Sequence, residues 1–190
     1  MVSLFVDADA CPVKQEIIKV AERYNLTTFI VSNGGIRPYK NPLIKFIYVS
    51  TGLDEADNWI ESRCNKNSIV ITDDIPLSKK CILLDALLIN FRGKILDKEN
   101  IGSIEASRNL MTSLREAHSL IVQNTRNYTK LDRETFLQSL DHLIMKKVGY
   151  SIAPQNGDPN AVSASDHVTQ RKGGDRAVAE ACVHIIEKFF

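Results

Sequence analysis

Six aspartates fall in three pairs, and each pair follows a short apolar run. Asp7 and Asp9 close the run Met1–Val6, Asp54 and Asp57 follow Ile44–Val49, and Asp73 and Asp74 follow Ser68–Thr72. Like charges gathered in a partly buried crevice are poorly screened and repel one another. A shared counter-ion removes that repulsion. A hard divalent cation with oxygen ligands, Mg²⁺ or Mn²⁺, suits a set of carboxylates. Two such ions can hold a phosphodiester and activate a water for in-line attack. Basic side chains are the other available counter-ions. Arg37, Lys79, Lys80 and Arg108 are the candidates, and they could equally grip a substrate phosphate. Capping competes with this reading for each aspartate taken singly, because Asp favours helix N-termini. Asp9, Asp54 and Asp74 each precede a helical pattern. Three strand ends that each carry a pair are harder to assign to capping alone.

The elements that must position these residues alternate along the chain. Val2–Val6 is apolar throughout, as a strand covered on both faces should be. Pro12 opens a helix that carries Val13, Ile17, Val20, Ala21 and Tyr24 at helical spacing. Thr27–Val31 reads as a second strand and Ile44–Val49 as a third, joined by a loop with glycines and Arg37, Pro38, Lys40 and Pro42. A helix begins near Asp54, with Asp54 and Asp57 on one face of its first turn. Ser68–Thr72 is a fourth strand, Pro76 opens a helix through Leu84, and Ala86–Phe91 is a fifth strand. Helices follow over about Asn100–His118 and Asp132–Met145. This alternation predicts an α/β fold with a mainly parallel sheet and helices on both faces. Right-handed crossovers then bring all strand C-termini to one edge, where open α/β sheets place their functional crevice.

Composition sets bounds. A net charge of +1 excludes a strongly basic nucleic-acid binder but leaves room for a local patch. No apolar run is long enough to span a bilayer, and no basic segment precedes the first apolar residues, so neither a membrane span nor a signal peptide is expected. Cys11, Cys64, Cys81 and Cys182 are widely spaced, as reduced thiols of a cytoplasmic protein would be. His118, His142 and His184 read as surface or core residues, and Trp59 as a core anchor.

The strings VDADACPVKQEI, GLDEADNWI, IVITDDIPLSKKC, RNLMTSLR and LDRETFLQSLD, in that order, resemble the YaiI/YqxD family of bacterial proteins. The resemblance covers about three quarters of the chain, from Met1 to about Ile144. That family is similar to the PIN-like superfamily, which includes metal-dependent ribonucleases. The resemblance implies a PIN-like three-layer sandwich over residues 1–145 and a divalent-metal site at the strand ends. By it Asp7 is the first ligand, Asp57 the helix carboxylate, and Asp74 the carboxylate of a TxDIPL motif. Asp9 and Asp54 also fall in the motifs, as ligands or as groups that orient them, whereas Asp73 occupies a variable position. The implied activity is a metal-dependent nuclease or phosphodiesterase. Its catalytic residues would be Asp7, Asp9, Asp57 and Asp74, its metal ligands Asp7, Asp54, Asp57 and Asp74, and its partner RNA or another phosphodiester.

Residues 146–190 differ in character. Pro154, Gly157, Pro159, Gly173 and Gly174 break the chain, and a last helix over about Asp175–Phe190 is expected to bury Val178, Ala181, Ile185 and Phe189. This segment resembles the C-terminal end of haloacid-dehalogenase-type sugar-acid phosphatases such as 3-deoxy-manno-octulosonate 8-phosphate phosphatase. Arg176 replaces a glycine of their ending and Ala179 an arginine. The expectation is a strand–helix appendage that could mediate self-association. The Asp7-Ala8-Asp9 spacing also admits a phosphatase of that type, with Asp7 as nucleophile and Asp9 as general acid/base. About seventy residues separate Asp73-Asp74 from the tail where that template has about a dozen, which argues against it. A non-catalytic binding protein whose carboxylates pair with basic groups is the third reading.

Overall fold

A computed structural model describes the chain except for residues 1, 10, 35–38, 51, 53, 118–126 and 148; for residues 115–117 it describes the backbone only. Arg37 and His118 lie outside the described residues. The chain divides into two compact units, Met1–Phe136 and Leu137–Phe190.

The first unit contains β1 (Ser3–Asp7), α1 (Lys14–Arg23), β2 (Thr27–Ser32), β3 (Ile44–Tyr48), α2 (Glu55–Glu61), β4 (Ser68–Ile71), α3 (Ile75–Leu83), β5 (Leu87–Ile89), β6 (Ile95–Leu96) and α4 (Ile101–Ala117). Helix α5 (Lys130–Lys147) begins in it. The strands form one sheet in the order β3-β2-β1-β4-β5-β6. β1 to β5 pair in parallel, and β6 returns antiparallel to β5.

Strand alternation sorts the core into two layers. Phe5, Val70 and Leu88 share one face through the register Phe5↔Val70 and Val70↔Leu88, and they cluster with Ala56, Ile60, Leu77, Cys81 and Ile101 of α2, α3 and α4. Leu4, Val6, Ile69 and Ile71 point to the other face, where α1 contributes the buried Ile17, Val20 and Ala21. Each fully buried Leu or Ile stabilises the fold by about 1.5–3 kcal/mol relative to exposure. The two-sided burial explains why these strands read as unbroken apolar runs.

Local chemistry sets the ends. Pro12 precedes α1 rather than opening it: the helix starts at Lys14 after Val13, which has no side chain able to cap it. At the β5–β6 turn, Asn90 Oδ1 accepts the N–H groups of Arg92 (3.1 Å) and Lys94 (2.7 Å). Gly93 in that turn has φ +85°, and a Cβ there would lie 2.7 Å from the Phe136 nitrogen.

The second unit, taken by itself, holds β7 (Ile152–Ala153), α6 (Pro159–Ala164), β8 (His167–Val168) and α7 (Ala177–Phe189). β7 and β8 pair in parallel. Asp166 accepts the N–H (2.8 Å) and the hydroxyl (2.9 Å) of Ser151, which closes this small unit. The expected burial along α7 is corrected here. Val178 is 78%, Ile185 39% and Phe189 54% exposed, and Ala177 is the buried residue of the helix. Two strands of two residues present too little surface to cover a helix of that length. No helix among the described residues is long and apolar enough to cross a membrane.

Replacing Gly93 by alanine forces a left-handed residue into backbone contact. Gly93→Ala is expected to lower unfolding free energy by about 3 kcal/mol, read from the urea midpoint.

Candidate acidic site at the strand ends

Strand order reverses at β1 and β4. The chain leaves β1 for β2 on one side, and β4 for β5 on the other. In open α/β sheets such diverging connections put the ligand-binding side above the C-terminal ends of the two central strands. Asp7 is the last residue of β1 and Thr72 follows the last residue of β4, one step beyond the pair Val6↔Ile71. Thr72 is fully buried. Its hydroxyl donates to Asp7 Oδ2 (2.8 Å) and accepts the Asp74 N–H (3.0 Å).

Asp74 is a helix cap. Its Oδ1 accepts the Leu77 N–H (2.7 Å) at the start of α3, where Pro76 occupies the first turn. Its second carboxylate oxygen has no partner among the described residues, so capping and ligand binding are compatible at this position. Asp54 holds the N-cap position of α2 in a left-handed conformation (φ 58°), but its side chain makes no capping bond. Asp57, half-buried in the first turn of α2, has no hydrogen-bond partner among the described residues.

Asp9 and Asp73 do a different job, and neither caps a helix. Asp9 Oδ1 accepts the Ser32 hydroxyl (2.6 Å) and the Asn33 N–H (3.1 Å), tying β1 to the end of β2. Asp73 Oδ1 accepts the Phe91 N–H (3.0 Å) beyond β5. Both are exposed at the flanks of the crevice.

The electrostatics single out Asp57 and Asp7. Burial pushes the Asp57 carboxyl up to about 6, with Asp74, Asp7 and Asp54 adding like-charge repulsion and Lys80 opposing it. Burial also raises Asp7; the Thr72 bond counters it, and Asp9 and Asp74 add to it. Cys11, beside them in sequence, is pushed up to about 12, chiefly by burial, so it is a neutral thiol at ordinary pH.

Two of the basic residues expected to answer these charges, Lys79 and Lys80, form their ion pairs elsewhere, although Lys80 still lowers Asp57 through space. Lys79 pairs with Glu105 of α4 (3.0 Å) and Lys80 with Glu61 of α2 (2.8 Å). Adjacent positions on α3 point them at different helices. Arg108 is exposed on α4. None of Asp7, Asp54, Asp57 and Asp74 forms an ion pair with a described residue. Among the described residues, no three His, Cys, Asp or Glu side chains stand as a ready-made metal cage. Thr72 and Ser32, which orient the carboxylates, were not singled out as their partners. The signal for Thr72 is its place at the end of a buried strand with the parity of Asp7.

The molecule so far is an α/β protein with an acidic crevice at its switch point. Its residues 5–146 match the family model described as "Uncharacterized BCR, YaiI/YqxD family", and the chain belongs to that family. It is 44% identical over 146 residues to a UPF0178 protein of Roseobacter denitrificans, covering 77% of this chain and 97% of the relative. A UPF0178 protein of Gluconacetobacter diazotrophicus is 46% identical over 146 residues, covering 77% of this chain and 94% of the relative. One of Agrobacterium fabrum is 45% identical over 138 residues, covering 73% and 90%. No solved structure matches the chain significantly. Residues after Lys146 fall outside the family match.

The raised Asp57 has a defined pH signature. A carboxyl that binds its proton more tightly folded than unfolded stabilises the protein fully below the unfolded value, near 4. That contribution is lost as pH rises through about 6. With divalent ions chelated, Asp57→Asn is therefore expected to be more stable than the parent at pH 7 by about 1 kcal/mol, after allowance for solvent screening. The advantage should vanish below about pH 4. Paired denaturant titrations across pH 4–7 check it, and a constant difference would contradict it.

Proposed function

We propose that this protein is a PIN-like, divalent-metal-dependent phosphodiesterase acting on RNA or another phosphodiester. One observation carries the reading. Asp7, Asp57 and Asp74 stand close enough at the switch point to raise the Asp57 carboxyl, and no described basic side chain pairs with any of them. Such a set gains from a cation, and its all-oxygen donors suit Mg²⁺ or Mn²⁺. The lack of a three-residue cage fits Mg²⁺, which commonly keeps several waters and binds through one or two carboxylates plus substrate phosphates.

In this reading Asp7, Asp57 and Asp74 would face the ion, one or two of them directly and the rest through its waters, with Asp54 at the rim. When bound, the ion would supply positive charge for phosphodiester oxygens and acidify a water. The chain's own residues do the positioning. Thr72 fixes the Asp7 carboxylate through Oδ2. The cap bond to Leu77 fixes Asp74 and leaves one oxygen open. Asp9 anchors the β2 end beside the crevice through Ser32 and Asn33.

Calorimetric titration with Mn²⁺ tests the metal. The parent is expected to bind, and Asp7→Asn and Asp74→Asn to bind at least about tenfold more weakly. Asn caps a helix as well as Asp, so Asp74→Asn should keep its fold. No binding by the parent, or unchanged binding by both variants, defeats the metal reading. Labelled single-stranded RNA with Mn²⁺ or Mg²⁺ tests the chemistry: cleavage by the parent and its loss in Asp7→Asn are expected. A parent that binds metal but cleaves no RNA, DNA or model diester defeats the nuclease alone.

A further inference from the structure

At the opposite, N-terminal edge of the same two strands lies a second site. Ser3 begins β1 and Ser68 begins β4, and both line a cavity of about 320 Å³. That volume lies at the small end of the range for ligand pockets. Three aromatic rings line it. Phe5 and Phe29 stack with centroids 5.1 Å apart, and Trp59 tilts against both, at 6.2 Å from Phe5 and 5.6 Å from Phe29.

Two cations attend these rings. The Arg63 guanidinium stands 4.3 Å from the Trp59 centroid and the Lys45 ammonium 5.4 Å from that of Phe29. Neither has a carboxylate partner among the described residues, whereas Lys79, Lys80, Lys98, Arg92 and Arg133 are all ion-paired. On the rim, Asn65 is fixed: its Oδ1 accepts the Asn67 N–H (2.9 Å) and its Nδ2 donates to the Arg63 carbonyl (3.4 Å). The Asn67 carboxamide has no such partner among the described residues.

We propose that this cavity binds an adenine nucleotide unit, with the base against Trp59 and Phe29, the phosphate on Arg63 and Lys45, and the base edge read by Asn67. Each group answers one feature of the cavity. Aromatic side chains stack bases of any sequence. A carboxamide presents a donor and an acceptor side by side, the pattern that pairs with adenine N6 and N7. Guanidinium and ammonium groups without carboxylates can take a phosphate, and exposed Arg63 would exchange its bonds to the Ser62 hydroxyl (2.9 Å) and the Trp59 carbonyl (3.4 Å) for stronger charge-assisted ones. The unit is either a free nucleotide or the end of a single strand. The inference does not depend on the acidic site, which lies at the other ends of the strands.

Trp59 is the only tryptophan, so its fluorescence reports this cavity directly. With divalent ions chelated, AMP is expected to quench it saturably. Adenosine and ribose 5-phosphate should each bind at least about tenfold more weakly. Arg63→Gln should bring AMP down to the level of adenosine, and Asn67→Ala should erase the preference for AMP over UMP. Both side chains are exposed, so both variants should keep the parent fold. Asp7→Asn should bind AMP as the parent does, which separates this site from the acidic one. Oligoadenylate binding tighter than AMP identifies a strand end as the source, and AMP binding alone identifies the free nucleotide. The proposal is overturned if AMP gives neither quenching nor calorimetric heat at about 5 mM. It is also overturned if Arg63→Gln and Asn67→Ala leave AMP binding unchanged.

Discussion

The Thr72 hydroxyl stands between two carboxylate-bearing strand ends, donating to Asp7 Oδ2 and accepting the Asp74 N–H. Both bonds require β1 and β4 to be neighbours in the register Val6↔Ile71. A slip of one residue would turn Asp7 toward the α1 layer and Thr72 away from it. The fully apolar runs Leu4–Val6 and Ile69–Ile71 favour the pairing without choosing its register, because both faces are buried. The polar contacts at the strand ends add that choice. An Asp carboxylate at the end of a buried strand is costly to leave unbonded, and Thr72 is the donor that meets it.

The remaining aspartates divide by what their oxygens are given. Asp9 and Asp73 each accept hydrogen bonds from a neighbouring strand end, so their charge is spent on holding the sheet edge. Asp74 spends one oxygen on the α3 cap. Asp57 is given nothing, and its carboxyl is the one pushed up to about 6. A residue that makes no hydrogen bond and is itself raised by burial and by its neighbours' charge costs the fold free energy at neutral pH. Perturbed carboxyls cluster at functional sites, and structural charge networks produce them too.

How far the sequence foretold this follows from the range of the interactions. β1 to β4 were legible within a residue or so, because apolar runs bounded by turn residues carry a strong local signal. The strand-end placement of all three aspartate pairs followed from those boundaries. What each carboxylate bonds did not. The Asp9–Ser32 bond spans a crossover and depends on which strands pair. Capping was open to Asp9 and Asp54 and less clearly to Asp74, yet of the three only Asp74 caps, because that bond depends on backbone angles that composition does not reveal. The two-residue strands β6, β7 and β8 are too short to show a period, and the β5–β6 turn rests on the positive φ of Gly93. The apolar face of α7 was read correctly as apolar and wrongly as buried: periodicity shows that a face could be covered, not that the fold supplies a cover.

The two ends of β1 are coupled by a single short helix. Ser3, Phe5 and Asp7 alternate onto one face, so the aromatic ring and the carboxylate stand about 6–7 Å apart along the strand. α2 packs over β1 and β2 and runs against the strand direction. Its first turn brings Asp57 to the acidic strand ends, its last turn brings Trp59 to the aromatic cavity, and Arg63 follows just beyond its end. The direction of that helix is set where the chain enters it, at the left-handed Asp54. A left-handed residue other than glycine is uncommon, and Asp is among the few types that tolerate it. Asp54 thus serves in two ways, one through its backbone and one through its side chain. It turns the backbone into α2 without capping it, and its carboxylate remains free to add charge to Asp57. Had it capped the helix instead, that charge would be partly spent on the helix N–H groups. The acidic crevice and the aromatic cavity therefore share one structural dependence, the angle at which seven residues of α2 cross the sheet.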